Sequence, residues 1–217
     1  MILVLGVTAS GKGRVAFEIC KKIGGEILSI DSMKVYRRMD IGTAKPSIER
    51  REEIRHHIID VVEPSEGFSV DKFLSMSDEA IDQIRSRGCA VVGSGGTAMY
   101  IKALLWGLFE GPGRDEGIRQ QLRSRIDSHG IRPVYERLKR VDPEAAGRIH
   151  QNDIKRIIRA LEVYELTGCP ISSYQQQFDG EGPGADWLVI GLRRPKELES
   201  MRINARVKKM VEAGLVK

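Results

Sequence analysis

The sequence predicts an α/β fold: a P-loop parallel sheet core flanked by helices, with an inserted, mostly helical domain. Three observations carry this. Met1–Leu5 is an apolar run without alternation, as expected of a strand buried on both faces, and it runs straight into a glycine-rich turn. Further short apolar runs at Glu26–Ile30, Ile58–Val62, Cys89–Val92 and Trp187–Leu192 are separated by helical patterns, which suits a parallel sheet. From about 115 to 185 no convincing strand occurs, and basic helical patterns take over. The predicted divisions are a first part of the core at 1–113, a helical insertion at 114–185, and a return to the core at 186–217.

The first turn defines the chemistry. Gly6, Val7, Thr8, Ala9, Ser10, Gly11, Lys12 and Gly13 follow the spacing G-x-x-x-x-G-K of a phosphate-binding loop. Turn amides and a helix N-terminus converge there on an anion, and Lys12 adds a mobile charge. A strand–helix corner that merely needs small residues is the plainer alternative, but Lys12 and the preceding strand favour a phosphate site. Residue 13 departs from the pattern: glycine stands where Ser or Thr would hold Mg²⁺.

Composition bounds the rest. A chain of 217 residues suits one large domain or a core with a small insertion, and 41% hydrophobic content with a mean hydropathy of −0.27 is ordinary for a soluble globular protein. The apolar N-terminus is too short for a secretory leader, and no stretch is long enough to span a membrane. Cys20, Cys89 and Cys169 show neither disulfide nor zinc spacing, so a reducing cytoplasm is expected. Net charge +5 and a pI near 9.1 permit a polyanionic partner.

Taken in order, Lys12 to about Ile23 reads as a helix with Val15, Ile19 and Ile23 inward, ending at Gly24-Gly25. Asp31-Ser32 follows the second strand, where a carboxylate is either a turn cap or a catalytic group. Asp40–Pro46 is a polar loop, and Ser47 opens a charged helix. His56-His57 lack the i,i+4 spacing of a helical metal pair, and His129 and His150 are isolated, so no metal ligands are assigned. Ser69–Arg87 reads as an amphipathic helix feeding the next strand. After that strand comes a Gly-Gly-Thr turn in which Thr97 opens a helix and could hold an anion; two such turns on one sheet edge suit a diphosphate.

In the insertion, Asn152-Asp153 cap a helix with Ile154, Ile157, Ile158 and Leu161 inward. Lys155, Arg156 and Arg159 lie off that stripe and join Arg137, Lys139, Arg140 and Arg148; this is either a solvated face or a surface for RNA backbone. Pro195 begins a last helix with Leu198, Met201 and Ala205 inward. The chain stops at Lys217 without a helix stop signal and is expected to be cut short.

The segments GVTASGKG, SIDSMKVYRRMDIGTAKP, HHIIDVVEPSEGFSVDKF, VVGSGGTAMYIKALLWGL, VDPEAAGRIHQNDIKRIIRALEVYELTG and IGLRRPKELESMRINARVKKMVEAGLV resemble, in order, the motifs of the tRNA dimethylallyltransferase family. The resemblance implies a P-loop core with an inserted helical domain. It also implies transfer of the dimethylallyl group of dimethylallyl diphosphate to N6 of the adenosine 3′ of the tRNA anticodon, with Mg²⁺ as cofactor. It makes Asp31 the general base, with Lys12, the amides from Thr8 to Gly13, and Thr97 stabilising the diphosphate. Arg119 matches a substrate-contacting arginine. Asp31, Ser32, Met33 and Lys34, and Lys155, Arg156, Ile157, Ile158 and Arg159, match two tRNA-contacting stretches, the two isoleucines supporting the helix.

The expected partners are tRNA, through its anticodon stem-loop, and dimethylallyl diphosphate, acting on a monomer away from any membrane. Two departures stand out. Gly13 lacks a hydroxyl, which Ser10 or Thr8 replaces unless diphosphate affinity falls by the about 1.5–3 kcal/mol of a bond to a charged group. Family members also continue past the position of Lys217. The alternatives are an adenylate isopentenyltransferase, a small-molecule kinase (disfavoured by Gly13), and a non-catalytic tRNA-binding remnant.

Overall fold

The computed structural model describes residues 1–108, 111–174 and 186–216. The chain divides into two compact units, Met1–Gly107 with Pro183–Lys217, and Leu108–Gly182. The insertion boundary expected at 185 lies outside the described residues.

The first unit opens with β1 (Ile2–Gly6), α1 (Lys12–Ile23), β2 (Gly25–Ile30), α2 (Ile48–Glu53), β3 (His56–His57), α3 (Val70–Ser86), β4 (Ala90–Gly95) and α4 (Ala98–Trp106). The second unit holds α5 (Glu116–His129), α6 (Ile131–Val141), α7 (Pro143–Arg148), α8 (Ile154–Thr167) and α9 (Ile171–Tyr174). The chain then returns to the first unit as β5 (Leu188–Leu192) and α10 (Lys196–Glu212).

The five strands form one parallel sheet in the order β3-β2-β4-β1-β5. Pleating sends alternate residues to opposite faces. Leu3, Leu28, Ile30 and Val91 pack with Phe73 and Ile84 of α3 and Tyr100 and Leu104 of α4. Val4, Ile27 and Val92 pack with Ala16, Phe17 and Cys20 of α1. Both faces are therefore covered, which is why β1, β2 and β4 read as continuous apolar runs. Phe73 and Tyr100 stack at 4.3 Å between α3 and α4. Glu26 is fixed under the sheet by Arg87 in a bidentate pair and by His57 at 2.6 Å; hydrogen bonds from Arg87 hold its carboxyl down to about 2.

Four details differ from expectation. In α8, Ile154 is exposed in the first turn, whereas Ile157, Ile158 and Leu161 are buried as expected. Ile58–Val62 is not a strand, because Ile58 and Asp60 take φ of 58° and 57° and the segment turns to bond residues 34–37. Only the isolated bridge from Tyr36 to Val62 remains there. The buried stripe of α1 is Ala16, Phe17 and Cys20, while Ile23 is exposed in the last turn. In α10, Leu198, Met201 and Ala205 face solvent; the half-buried stripe is Glu199, Ile203, Arg206 and Met210, rotated toward the phosphate loop by arginine contacts.

The helical unit has its own core of Leu122, Val134, Leu138, Ala146, Ile157, Leu161 and Val163. Asp142 caps α7 by accepting from Ala145 N and also accepts from Ser172 N. Asp153 caps α8 by accepting from Arg156 N, and Gly168 closes that helix in the left-handed conformation at φ 72°. At its centre Glu162, wholly buried, accepts from Asp115 N, from Nε and Nη2 of Arg119 and from Nη1 of Arg159. These bonds overcome desolvation and hold its carboxyl at about 2.

Because that carboxyl lies below its usual 4.5, its contribution to stability is complete above 4.5 and is lost as pH falls toward about 2. Glu162→Ala removes the carboxylate shared by Arg119 and Arg159 and leaves a cavity, and should destabilise the helical unit by about 3–5 kcal/mol. Circular dichroism melts at pH 7 and across the acid range test this; a shift of a degree or less would contradict it.

Candidate active site

The carboxyl ends of β1, β2 and β4 deliver three loops to one edge of the sheet, as parallel topology requires. They open onto a cleft of about 700 Å³ lined by the phosphate loop, Asp31–Met33, Arg38–Thr43, Gly96-Thr97, Arg206 and Leu215, among others. The whole lining belongs to the first unit.

The phosphate loop is tightly built. Ala9 and Gly11 take φ of 62° and 97°, and Gly11 caps α1 with no side chain to intrude on its amides. A Cβ on Gly6 would lie 2.5 Å from Ser10 Oγ, so only glycine fits where the strand meets the turn. Lys12 Nζ donates to Val7 O at 3.2 Å and lies beside Gly96 of the second turn. Ser10 is buried and its Oγ accepts from Lys12 N, whereas Thr8 is exposed and lines the cleft. Thr8 is therefore the hydroxyl of the two that faces a ligand. Gly13 has open space around the position of a Cβ, so the missing hydroxyl is not a steric necessity.

Asp31 makes the turn cap that the sequence allowed, at the edge of the cleft. Its Oδ1 accepts from Met33 N at 2.9 Å and Lys34 N at 3.3 Å, an Asx turn that fixes the carboxylate. Among the described residues Oδ2 accepts no protein hydrogen bond, and the residue lines the cleft. Thr97 Oγ1 accepts from Ser32 N at 3.0 Å, tying the end of β2 to the end of β4.

Charge is unbalanced here. Lys12 is held below its ordinary pKa by burial and then by Lys34; Lys34 is lowered by burial, and Arg206 opposes protonation of both. Lys12, Lys34 and Arg206 thus repel one another, with Asp31 offsetting only part of that charge, an arrangement that a polyanion relaxes.

The sequence reading missed the contribution of the C-terminal segment. Arg194 Nε donates to Ser10 O at 2.7 Å and Arg202 Nε to Ala9 O at 2.9 Å, gripping the phosphate loop from outside. Arg206 stands one turn after Arg202 and lines the cleft. The i,i+4 spacing of these two arginines was the available signal. The wall at Arg38–Thr43 was also missed as a site element.

The remaining expected residues belong to the helical unit. Arg119 is in a bidentate pair with Glu162. Lys155 and Arg156 are exposed on α8, Ile157 and Ile158 are buried in its core, and Arg159 is bonded to Glu162, Pro112 O and Gly113 O. Among the described residues no group of three or more His, Cys, Asp or Glu is placed to hold a metal, and no helix is long and apolar enough to cross a membrane.

Two outcomes follow from this geometry. Diphosphate affinity should fall as pH rises through the alkaline range, earlier than an ordinary lysine near 10.5 would dictate, because Lys12 and Lys34 lose protons early. Bound diphosphate should raise both pKa values and so take up protons, which calorimetry in buffers of different ionisation enthalpy detects. Gly13→Thr should fold normally and bind diphosphate about tenfold tighter or more with Mg²⁺ present, as one charged hydrogen bond implies; unchanged affinity would contradict it.

Comparison with known proteins agrees with this geometry. The model of the IPP transferase family matches residues 34–217. The chain is 45% identical over 216 residues to tRNA dimethylallyltransferase 2 of Geotalea uraniireducens, covering all of this chain and 70% of that protein. The crystal structure of the full-length tRNA isopentenylpyrophosphate transferase of Bacillus halodurans superposes with a TM-score of 0.64 at 38% identity, covering 99% of this chain and 66% of that one. A eukaryotic dimethylallyltransferase studied acting on tRNA superposes with a TM-score of 0.78 at 29% identity, covering 99% of this chain and 53% of that one. The chain belongs to the IPP transferase family, and its relatives there are tRNA dimethylallyltransferases.

Proposed function

We propose that the chain transfers a dimethylallyl group from dimethylallyl diphosphate to N6 of the adenosine 3′-adjacent to the tRNA anticodon. The observation that carries this reading is the convergence of a phosphate loop, an Asx-fixed carboxylate and the cations Lys12 and Arg206 in one cleft, with Lys34 close behind. An exocyclic adenine amine is a poor nucleophile, since its lone pair is delocalised into the ring. Asp31, immobilised through Oδ1, offers Oδ2 to orient that amine and take its proton. The N6–C1 bond forms as the allylic C1–O bond breaks. The electron pair of the broken bond leaves with diphosphate, and the amine proton passes to Asp31.

Negative charge growing on the leaving diphosphate meets the loop amides, Lys12 and Arg206. Thr97 keeps the second anion-binding turn in register with the Asp31 turn through Ser32. Mg²⁺ fits this donor set, since it takes one or two protein oxygens plus phosphate oxygens and keeps its remaining waters. Thr8 is the lining hydroxyl that would hold it. When bound it would neutralise charge on the diphosphate.

On the helical unit, exposed Lys155 and Arg156 supply backbone contacts to RNA. Arg119, oriented by Glu162, is the substrate arginine. The enzyme acts in the cytoplasm, consistent with three free cysteines.

The test is incubation of the protein with Mg²⁺, dimethylallyl diphosphate and unmodified tRNA, followed by nucleoside mass spectrometry, with free AMP as a parallel acceptor. Dimethylallyladenosine should form on tRNA and not on AMP, and Asp31→Ala should lower the rate by at least 100-fold. Product on AMP alone, or an active Asp31→Ala, would contradict the proposal.

A further inference from the structure

The loop Arg38–Thr43 supplies six consecutive residues to the cleft lining, yet it contains no regular secondary structure to hold it. What holds it is one buried cation. The Lys45 side chain is 1% exposed, and its Nζ donates to Tyr36 O at 2.5 Å, Asp40 Oδ1 at 2.7 Å and Asp60 Oδ1 at 2.6 Å. An ammonium has three protons, and all three are used. Asp60 is held in turn by Arg51, 2.6 Å from its Oδ2. Thr43 Oγ1 donates to Met39 O at 2.5 Å, and Lys45 N donates to Asp40 O at 3.2 Å, closing the loop on itself.

The same region concentrates backbone strain. Among the described residues five non-glycine positions have positive φ. One is Ala9 in the phosphate loop; the others are Arg38 and Ala44 in this loop, Asp60, which is bonded to Lys45, and Ile58 two residues before Asp60. Strain of this kind persists only where the surroundings over-determine it, and it gathers at functional sites. The loop surface is also the apolar part of the lining: Met39 and Ile41 join Met33 and Leu215, and a Cβ on Gly42 would lie 3.1 Å from Leu215 Cδ1. With diphosphate on the phosphate loop, the five-carbon chain of the donor needs an apolar surface of this kind.

We propose that Lys45 is a positioning residue: its buried ammonium locks residues 38–44 into the wall against which the hydrocarbon of the donor packs. The inference rests on the donor assigned under Proposed function. It separates Lys45 from the phosphate-binding cations, because Lys45 acts on the organic end of the ligand through the loop it holds.

The experiment compares the affinities of inorganic diphosphate and dimethylallyl thiodiphosphate, an analogue that resists transfer, by calorimetry on the whole chain. Wild type should bind the analogue more tightly than diphosphate. Lys45→Met should weaken the analogue at least tenfold, leave diphosphate within about twofold, and speed amide exchange in residues 38–44. Asp60→Asn is the milder variant, since Asn accepts the positive φ of that position while losing the ion pair; it should show the same split and decides the matter if Lys45→Met fails to fold. Equal weakening of both ligands, no weakening of either, or a wild type that does not distinguish them would overturn the proposal. If the split is found but tRNA yields no product, the positioning role stands and the acceptor assignment fails.

Discussion

The site depends on how closely β2 approaches β4 at their carboxyl ends. A Cβ on Gly95 would lie 2.0 Å from Ile30 O, so this pair of strands closes only because residue 95 has no side chain. Gly96 N then donates to Ile30 O, and Ser32 N to Thr97 Oγ1. The register of β4 on β1 places Gly95 beside Leu5, one residue before the phosphate loop begins. Three loops far apart in sequence thereby reach one edge with their spacing set by backbone hydrogen bonds. A phosphate loop, a carboxylate and a hydroxyl held this way need little rearrangement to act.

Charge and strain are arranged to suit that geometry. In a trans peptide, carbonyl and amide point opposite ways. Arg194, by holding Ser10 O, sets the Gly11 amide facing away from itself, and Arg202 holds Ala9 O in the residue that carries the loop's strain. The last helix is thus an outer brace of the phosphate loop as well as the source of Arg206. On the other part of the lining, Lys45 does for a loop without regular structure what the sheet does for its neighbours.

Much of this was legible in the sequence, and the exceptions share a cause. Buried strands announced themselves because both faces of a covered parallel sheet are apolar, and Gly6, Gly11 and Lys12 stand at a spacing that serves phosphate. Asp153 caps its helix as a short side chain with an accepting oxygen does. Ile58–Val62 misled because an apolar run does not reveal positive φ at Ile58 and Asp60. The inward face of α10 was misjudged because apolar periodicity is a poor guide when the buried stripe carries Arg206 and its neighbours bond to a loop almost two hundred residues away. Likewise, Arg119, Arg159 and Glu162 look like surface charges one by one and become a buried cluster only when α5 and α8 pack.

The central claim is that two turns on one sheet edge form a single diphosphate site. Its most direct test is calorimetric titration of the wild type and Thr97→Val with diphosphate and with orthophosphate in Mg²⁺ buffer. Wild type should prefer diphosphate by at least tenfold, and Thr97→Val should lose most of that preference while its orthophosphate affinity stays within about twofold. Equal affinities for the two anions in the wild type, or a preference untouched by Thr97→Val, would contradict it.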